Sequence, residues 1–388
     1  MHRLLLVALV AVVAGSAAGL EPGIYIHEFA NGQTRRLSGG ANPTWFSDGQ
    51  QLLFTAAQPV HHWQPNRGAL YTIRLDGTHK TRLDTAGPRM DYAAARVSAD
   101  ARYIAAFGTV PQPPPRDPEV IEQETLLVFD RQGRLVRGPF AVRGLRTRYA
   151  EPAWNQVSWS RTGATIPVGS VDHGPYLLDV ATGAKRELYV PTPLRTEPAF
   201  VWSRDGSLLG YGRGPVLFYR PGASLEPITT TRLTLFGPAP EADSLIIGDP
   251  FTRFSHAQPA TTRHVRHDGD RPGSLLFASW PRADLFFASW DEEMHTWLVH
   301  RTDGEALHTD IALPAPIHCW SGFDADDGRL AYYGGTYQPR ETAFGVFVLR
   351  PGEEGEHLAD LDAASLRFAL PPAFSPDGRH LAFCVPPA

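Results

Sequence analysis

Seven residues stand out for the chemistry they could do: His62, Trp63, Tyr92, Arg253, His256, His318 and Tyr337. Most lie in stretches rich in Gly, Pro, Gln and Thr, such as "AAQPVHHWQPNRGA", "DPFTRFSHAQPATT" and "GGTYQPRETAFG". An Arg guanidinium makes planar, two-pronged contacts with a carboxylate. Trp and Tyr rings stack on a sugar face or a peptide side chain. A His with a Tyr supplies a general base and a general acid. Together these types suit recognition of an acidic glycan or a peptide segment. Plainer readings stand beside this one: a solvated loop tip for His61-His62-Trp63, a surface loop for Arg253 and His256, and a satisfied core histidine for His318. The arginines of "GPFAVRGLRTRYAEP", Arg143, Arg146 and Arg148, read as belonging to a basic loop.

Other chemistries leave no trace. There is no Walker loop, Rossmann glycine fingerprint, zinc-spaced Cys/His cluster or "GxSxG" elbow. Asp291-Glu292-Glu293 with His295 reads as a solvated acidic hairpin rather than a cation site, and "DADDG" at Asp324 occupies a repeat turn. No cofactor and no metal is expected. The formal net charge of -5 gives no basic footprint, so nucleic acid is not an expected partner.

The N-terminus carries its own signal. His2-Arg3 is a short basic segment, Leu4 to Ala14 is apolar, and "GSAAG" offers small residues for cleavage near Ala18 or Gly19. That is the pattern of a secretory signal peptide over residues 1–19, with one domain over 20–388. The expectation is an exported monomer, periplasmic or secreted, with no membrane span once the signal is removed. Export permits disulfides, yet the two cysteines, Cys319 and Cys384, sit in apolar strand contexts and read as buried thiols.

The candidate residues need a scaffold, and internal repetition supplies it. "PTWFSDGQQLLFTA" at Pro43 recurs as "QVSWSRTGATIPVG" at Gln156, "AFVWSRDGSLLGYG" at Ala199 and "PAFSPDGRHLAFC" at Pro372. Weaker copies begin near Ala95, Gly237, Ala278 and Cys319. Each is a turn followed by a short apolar strand. A second strand closes on a turn glycine, as in "ALYTIRLDG", "TLLVFDRQG" and "PYLLDVATG". Repeats spaced 38 to 62 residues apart, each worth four strands, are the signature of a β-propeller. The last copy lacks its second half, and "GIYIHEFANGQTRRL" at Gly23 to Leu37 has the form of that missing half. The expectation is therefore all-β: a single β-propeller of about eight four-stranded blades, with N- and C-terminal strands sharing one blade. The copy at Gly237 is the weakest, and its loss leaves seven blades.

The copies resemble the "PxWSPDGxxIxF…LYxxDxxxG" repeat of TolB-like and WD-repeat-like propellers, over nearly all of the chain after residue 19. That resemblance implies a binding protein of the cell envelope, engaging a partner protein or an acidic polysaccharide on one face. A second likeness is narrower. "PAPIHCWSGFDADDGRLAYYGG" with "FGVFVLRPGEE" is similar in form to a blade of the oligogalacturonate lyases. Those enzymes use a His-rich metal site with an Arg and a His base, and His318 falls where one metal-binding His would sit. The places of the family's further His pair and of its base read "RFALPPAFSPDG" and "SLLFASWPRAD", neither containing His. The lyase alternative is then metal-free, with His256, His318, Tyr92 and Arg253 as its candidates.

Overall fold

The computed structural model describes residues 20–57, 68–83, 85, 90–109, 122–145, 157–160, 162–168, 176–187 and 372–385. Between 199 and 361 it describes the strands named below with a few flanking residues, as backbone only as far as 326. Every regular element among these residues is a β-strand. A hairpin of β1 (Gly23–Glu28) and β2 (Gln33–Ser38) comes first, followed by β3 (Ala41–Trp45), β4 (Gln51–Ala57), β5 (Gly68–Arg74) and β6 (Thr81–Arg82). The next unit is β7 (Asp91–Val97), β8 (Tyr103–Thr109), β9 (Glu122–Asp130) and β10 (Leu135–Leu145). Then come β11 (Thr165–Val168), β12 (Tyr176–Asp179) and β13 (Lys185–Glu187), and after them β14 (Ala199–Trp202), β15 (Leu209–Gly212), β16 (Val216–Tyr219) and β17 (Ser244–Ile246). A short pair follows, β18 (Arg253–Phe254) and β19 (Arg263–His264). Two further meanders are β20 (Leu275–Ala278), β21 (Leu285–Asp291), β22 (Thr296–Thr302) and β23 (Leu307–Ala312), then β24 (Phe323–Asp326), β25 (Arg329–Gly335), β26 (Phe344–Leu349) and β27 (Glu356–Leu361). The chain finishes with β28 (Ala373–Phe374) and β29 (His380–Val385).

Strands from the two ends of the chain share one sheet, in the order β2-β1-β29-β28. β1 runs antiparallel to β29 from Gly23↔Val385 to Glu28↔His380. The edge that a terminal apolar strand would otherwise expose is covered by the N-terminal hairpin. The other meanders stand as separate sheets, except that the β3–β6 and β7–β10 units are joined by the single pair Gly68↔Tyr92. Two local expectations differ from the structure. Gly138 to Leu145 is part of the eleven-residue strand β10, not a loop. In the copy at Gly237, Ser244–Ile246 joins the preceding sheet by pairing with β16, β18 and β19 form a separate two-stranded sheet among the described residues, and β14 lies against β20.

Among the described residues, three copies of the repeat motif make the same Ser turn. Ser98, Ser160 and Ser375 are buried, and each Oγ accepts the backbone N–H of the residue five places on, from Tyr103 at 2.9 Å, Thr165 at 3.0 Å and His380 at 2.9 Å. Ser98 and Ser375 also donate to Asp100 and Asp377, at 2.7 and 2.6 Å. The hydroxyl thus satisfies a backbone donor that the turn would leave unpaired in the interior. Gly163 and Gly378 close their turns at φ 66° and 68°, where a Cβ is disfavoured.

Alternation then buries one side chain in two on each sheet face. Successive sheets pack face to face through separate cores. Tyr25 and Phe383 meet Tyr333 and Val346, while Ile24 and Ala382 meet Leu52 and Ile73 on the opposite face. Leu53 and Leu70 meet Ile104 and Leu127, and Val128 meets Ile166 and Leu178. Each such aliphatic or aromatic residue contributes about 1.5–3 kcal/mol on full burial. Polar pins cross the same seams. Trp45 Nε1 donates to the Ala373 carbonyl at 2.9 Å, and Trp159 Nε1 to that of Arg96 at 3.1 Å. Guanidinium groups do likewise near the Ser–Asp turns: Arg35 donates to the Leu75 carbonyl, Arg137 to that of Ala181 and Arg329 to that of Gly378.

Candidate functional site

The strand order gives each sheet two ends. The Ser–Asp turns and the glycine turns, such as those at Gly77 and Gly133, lie together at one end. β4 finishes and β5 begins at the other end, as do β8 and β9, β11 and β12, and β25 and β26. The connections between those pairs therefore leave and return on this second end, called here the loop end. The side chains described at the turn end are occupied with turn chemistry and with the seam contacts above.

At the loop end of the sheet shared by the chain termini, a buried polar group joins three sheets. β28 is only two residues long and pairs with Phe374↔Leu381 and Ala373↔Ala382, so it stops short of Cys384. The Tyr333 side chain from β25 takes the place of a strand there. Its Oη accepts the Cys384 backbone N–H at 2.9 Å and donates to the Cys384 carbonyl at 3.1 Å, and it lies 3.7 Å from Sγ. The Asn42 backbone N–H donates to the same thiol. Asn42 is 1% exposed and sits at φ 55°, inside the bulge that separates Ala41↔Thr55 from Thr44↔Leu53. A non-glycine residue there holds a conformation that its surroundings must enforce. Gly40 is required for close approach: a Cβ would fall 2.6 Å from the Phe54 ring and 2.8 Å from the Thr55 carbonyl.

The electrostatics of this group favour neutral forms. Burial pushes the Tyr333 phenol well above its ordinary range, reinforced by the Cys384 thiolate charge it would face. Burial also pushes the Cys384 thiol up, and the Asn42 and Tyr333 hydrogen bonds do not offset it. Both groups stay protonated at neutral pH. The thiolate is the nucleophilic form of cysteine, so Cys384 is a structural thiol. It is free and buried, as its apolar context suggests.

Tyr92 is the one candidate from the sequence whose side chain is described. It lies at the loop end of β7, but its ring turns inward, 4% exposed, edge-on to Phe129 with centroids 5.6 Å apart. Burial raises its pKa against a hydrogen bond from Thr85 and the Arg82 charge. The phenol is a core group held neutral. Arg253 is described as backbone in β18, opposite His264. His62, Trp63, His256, His318 and Tyr337 lie outside the described residues, as does Cys319. Among the described residues, no three His, Cys, Asp or Glu side chains gather to hold a metal. Tyr333 and Asn42 escaped the sequence reading. The usable signals were a Tyr pair near the end of a strand at "AYYGG" and an Asn-Pro one residue after Gly39-Gly40.

In sequence, the chain matches no family model and no curated protein. Solved structures do match. An oligogalacturonate lyase from Vibrio parahaemolyticus is 11% identical, with 94% of this chain and 97% of that one covered at a TM-score of 0.51. A periplasmic gluconolactonase from Pseudomonas aeruginosa is 14% identical, with 93% and 94% covered at a TM-score of 0.51. The fold is a β-propeller. A putative TolB from Agrobacterium tumefaciens also matches, at 16% identity and a TM-score of 0.44, with 94% of this chain and 98% of that one covered. Both kinds of protein that the repeat resembles, TolB and the propeller lyase, are therefore among the structural matches. At such identities the likeness concerns the scaffold, and many unrelated activities share this propeller.

Proposed function

We propose that this protein is an exported, seven-bladed propeller that binds an acidic glycan on its loop end without cleaving it. Strand order is the observation that carries the reading. The turn end is taken up by the protein's own Ser–Asp turns and arginine pins. The connections that bear His62, Trp63 and Tyr337 leave from the other end, and rigid strands flank them. Tyr92, a candidate acid of the lyase alternative, is buried as a core phenol, which favours binding over bond cleavage. Seven blades are supported by the contact of β14 with β20 and by the pairing of β17 with β16. A domain beginning at residue 20 is supported by Leu20, which packs on the core beside Tyr25 and Phe383, and by the Glu21 carbonyl, which accepts the Tyr25 hydroxyl at 2.8 Å.

The test is a titration of purified protein with polygalacturonate and alginate. It is read by calorimetry and by ultraviolet absorbance of a newly formed unsaturated bond. Saturable heat without absorbance change, lost in an Arg253→Ala, His318→Ala double variant that still unfolds cooperatively, is the expected result. Rising absorbance would make the protein a lyase. No heat with either polysaccharide would sink the glycan reading and leave a protein partner.

A further inference from the structure

The sheet that joins the chain ends carries a buried imidazole. His27 lies one residue from the end of β1, paired across with Leu381 on β29 and Thr34 on β2. Alternation places Tyr25, His27 and Phe29 on one face of the strand and Ile24, Ile26 and Glu28 on the other. Tyr25 and Phe29 pack into the core shared with β25 and β26, and Ile24 and Ile26 into the core shared with β3 to β5. His27 therefore faces the seam between the terminal sheet and the β24–β27 sheet. It is 2% exposed, with Nδ1 2.9 Å from Thr34 Oγ1 and its ring edge-on to Phe29 at 4.9 Å.

The charges that act on this imidazole come from the other side of the seam. Arg329 on β25 lies over the Phe29 ring at 4.0 Å and the Phe374 ring at 5.1 Å, and it donates to the Gly378 carbonyl. Its cation is therefore anchored in the same seam. Glu356 on β27 is exposed and contributes the opposite sign. A proton on His27 puts a second cation beside Arg329, out of water, and among the described residues the outlying Glu356 carboxylate is the charge that balances it.

We propose that His27 is an acid-sensitive latch: its protonation loosens the terminal sheet from the β24–β27 sheet, so the propeller opens first where its two chain ends meet. In mild acid the opened state takes up the proton that the closed seam resists. Burial lowers the His27 pKa from 6.5, Glu356 opposes that shift and Arg329 adds to it. A His with a depressed native value contributes stability that is complete above the unfolded value and is lost as pH falls below it. Between those two values the opened fraction grows by up to about tenfold per pH unit. The inference rests on the β1–β29 pairing and not on any ligand at the loop end.

Hydrogen exchange of the mature protein, read by peptide mass at about pH 7 and pH 5 and corrected for intrinsic rates, tests it. Peptides covering 23–28 and 380–385 should lose protection about tenfold more than those covering β4, β5 and β8. In His27→Gln the excess should vanish. Glu356→Gln, an exposed change compatible with folding, should enlarge it by removing a favourable charge. Equal loss in all sheets, or an excess that persists in His27→Gln, would overturn the proposal. An unaltered excess in Glu356→Gln would do so too, even if His27→Gln failed to fold.

Discussion

Replacing Tyr333 by Phe removes one oxygen and should unlatch a backbone group 51 residues away in sequence. The phenol accepts the Cys384 N–H at 2.9 Å and donates to the Cys384 carbonyl at 3.1 Å, and both residues are 0% exposed. Among the described residues no strand takes its place, because the pairing of β28 ends at Ala373↔Ala382. A buried donor left unsatisfied costs about 1–3 kcal/mol, and the carbonyl loses a lesser contribution. The expected destabilisation is about 2 kcal/mol, or about thirtyfold in the unfolding equilibrium. Urea titration followed by tryptophan fluorescence measures it, with m unchanged if the denatured state is unaltered. The Cys384 amide should also lose its exchange protection while that of Leu381, deeper in the sheet, is retained. A loss below about 0.5 kcal/mol would refute the argument, since a typical net hydrogen bond alone contributes that much.

Two neighbouring glycines should respond differently to the same change. Gly40→Ala places a Cβ 2.6 Å from the Phe54 ring at φ 141°, whereas in Gly39→Ala the nearest contact is the Arg36 side chain at 4.0 Å. A Gly40 variant at least about 2 kcal/mol less stable than the Gly39 variant is expected, and equal urea midpoints would contradict the close approach. A separate prediction concerns strong acid. Burial pushes the Asp100 and Asp377 carboxyls up, but hydrogen bonds from Ser98 and Ser375 and from backbone N–H groups, with the Arg102 side chain on Asp100 and the His380 and Arg379 charges near Asp377, outweigh it, so both are lowered from 3.8. Their stabilisation is present above that value and lost as pH falls through it. Asp100→Asn should flatten the fall in urea midpoint below about pH 4, and curves parallel to the parent would show that the turn carboxyl carries none of it.

The all-β fold and the pairing of the chain ends were legible in the sequence because both are written in local pattern. A turn of Ser, Asp and Gly followed by alternating apolar residues specifies a hairpin within about a dozen residues, and a half-repeat at each end specifies its complement. The turn motif even encodes its own hydrogen bonds, since Ser98 and Ser375 reach only their near neighbours. His27 went unread, although it stands at an inward position of "GIYIHEF". Contacts across the seams were not legible, because periodicity tells which face a residue occupies and not what meets it there. Tyr92 looked like a loop-face phenol; the neighbouring Phe129 and Thr85 decided that its ring turns inward. "GPFAVRGL" read as a basic loop, and pairing with β9 made it strand. Ser244–Ile246 read as the start of a fifth blade, yet it pairs with β16, because a short apolar strand gains the same ladder from any edge within reach. The Tyr333–Cys384–Asn42 group depended most on tertiary structure. Its three members come from three sheets, and only packing brings together a donor without a strand, a phenol without water and an asparagine held at positive φ.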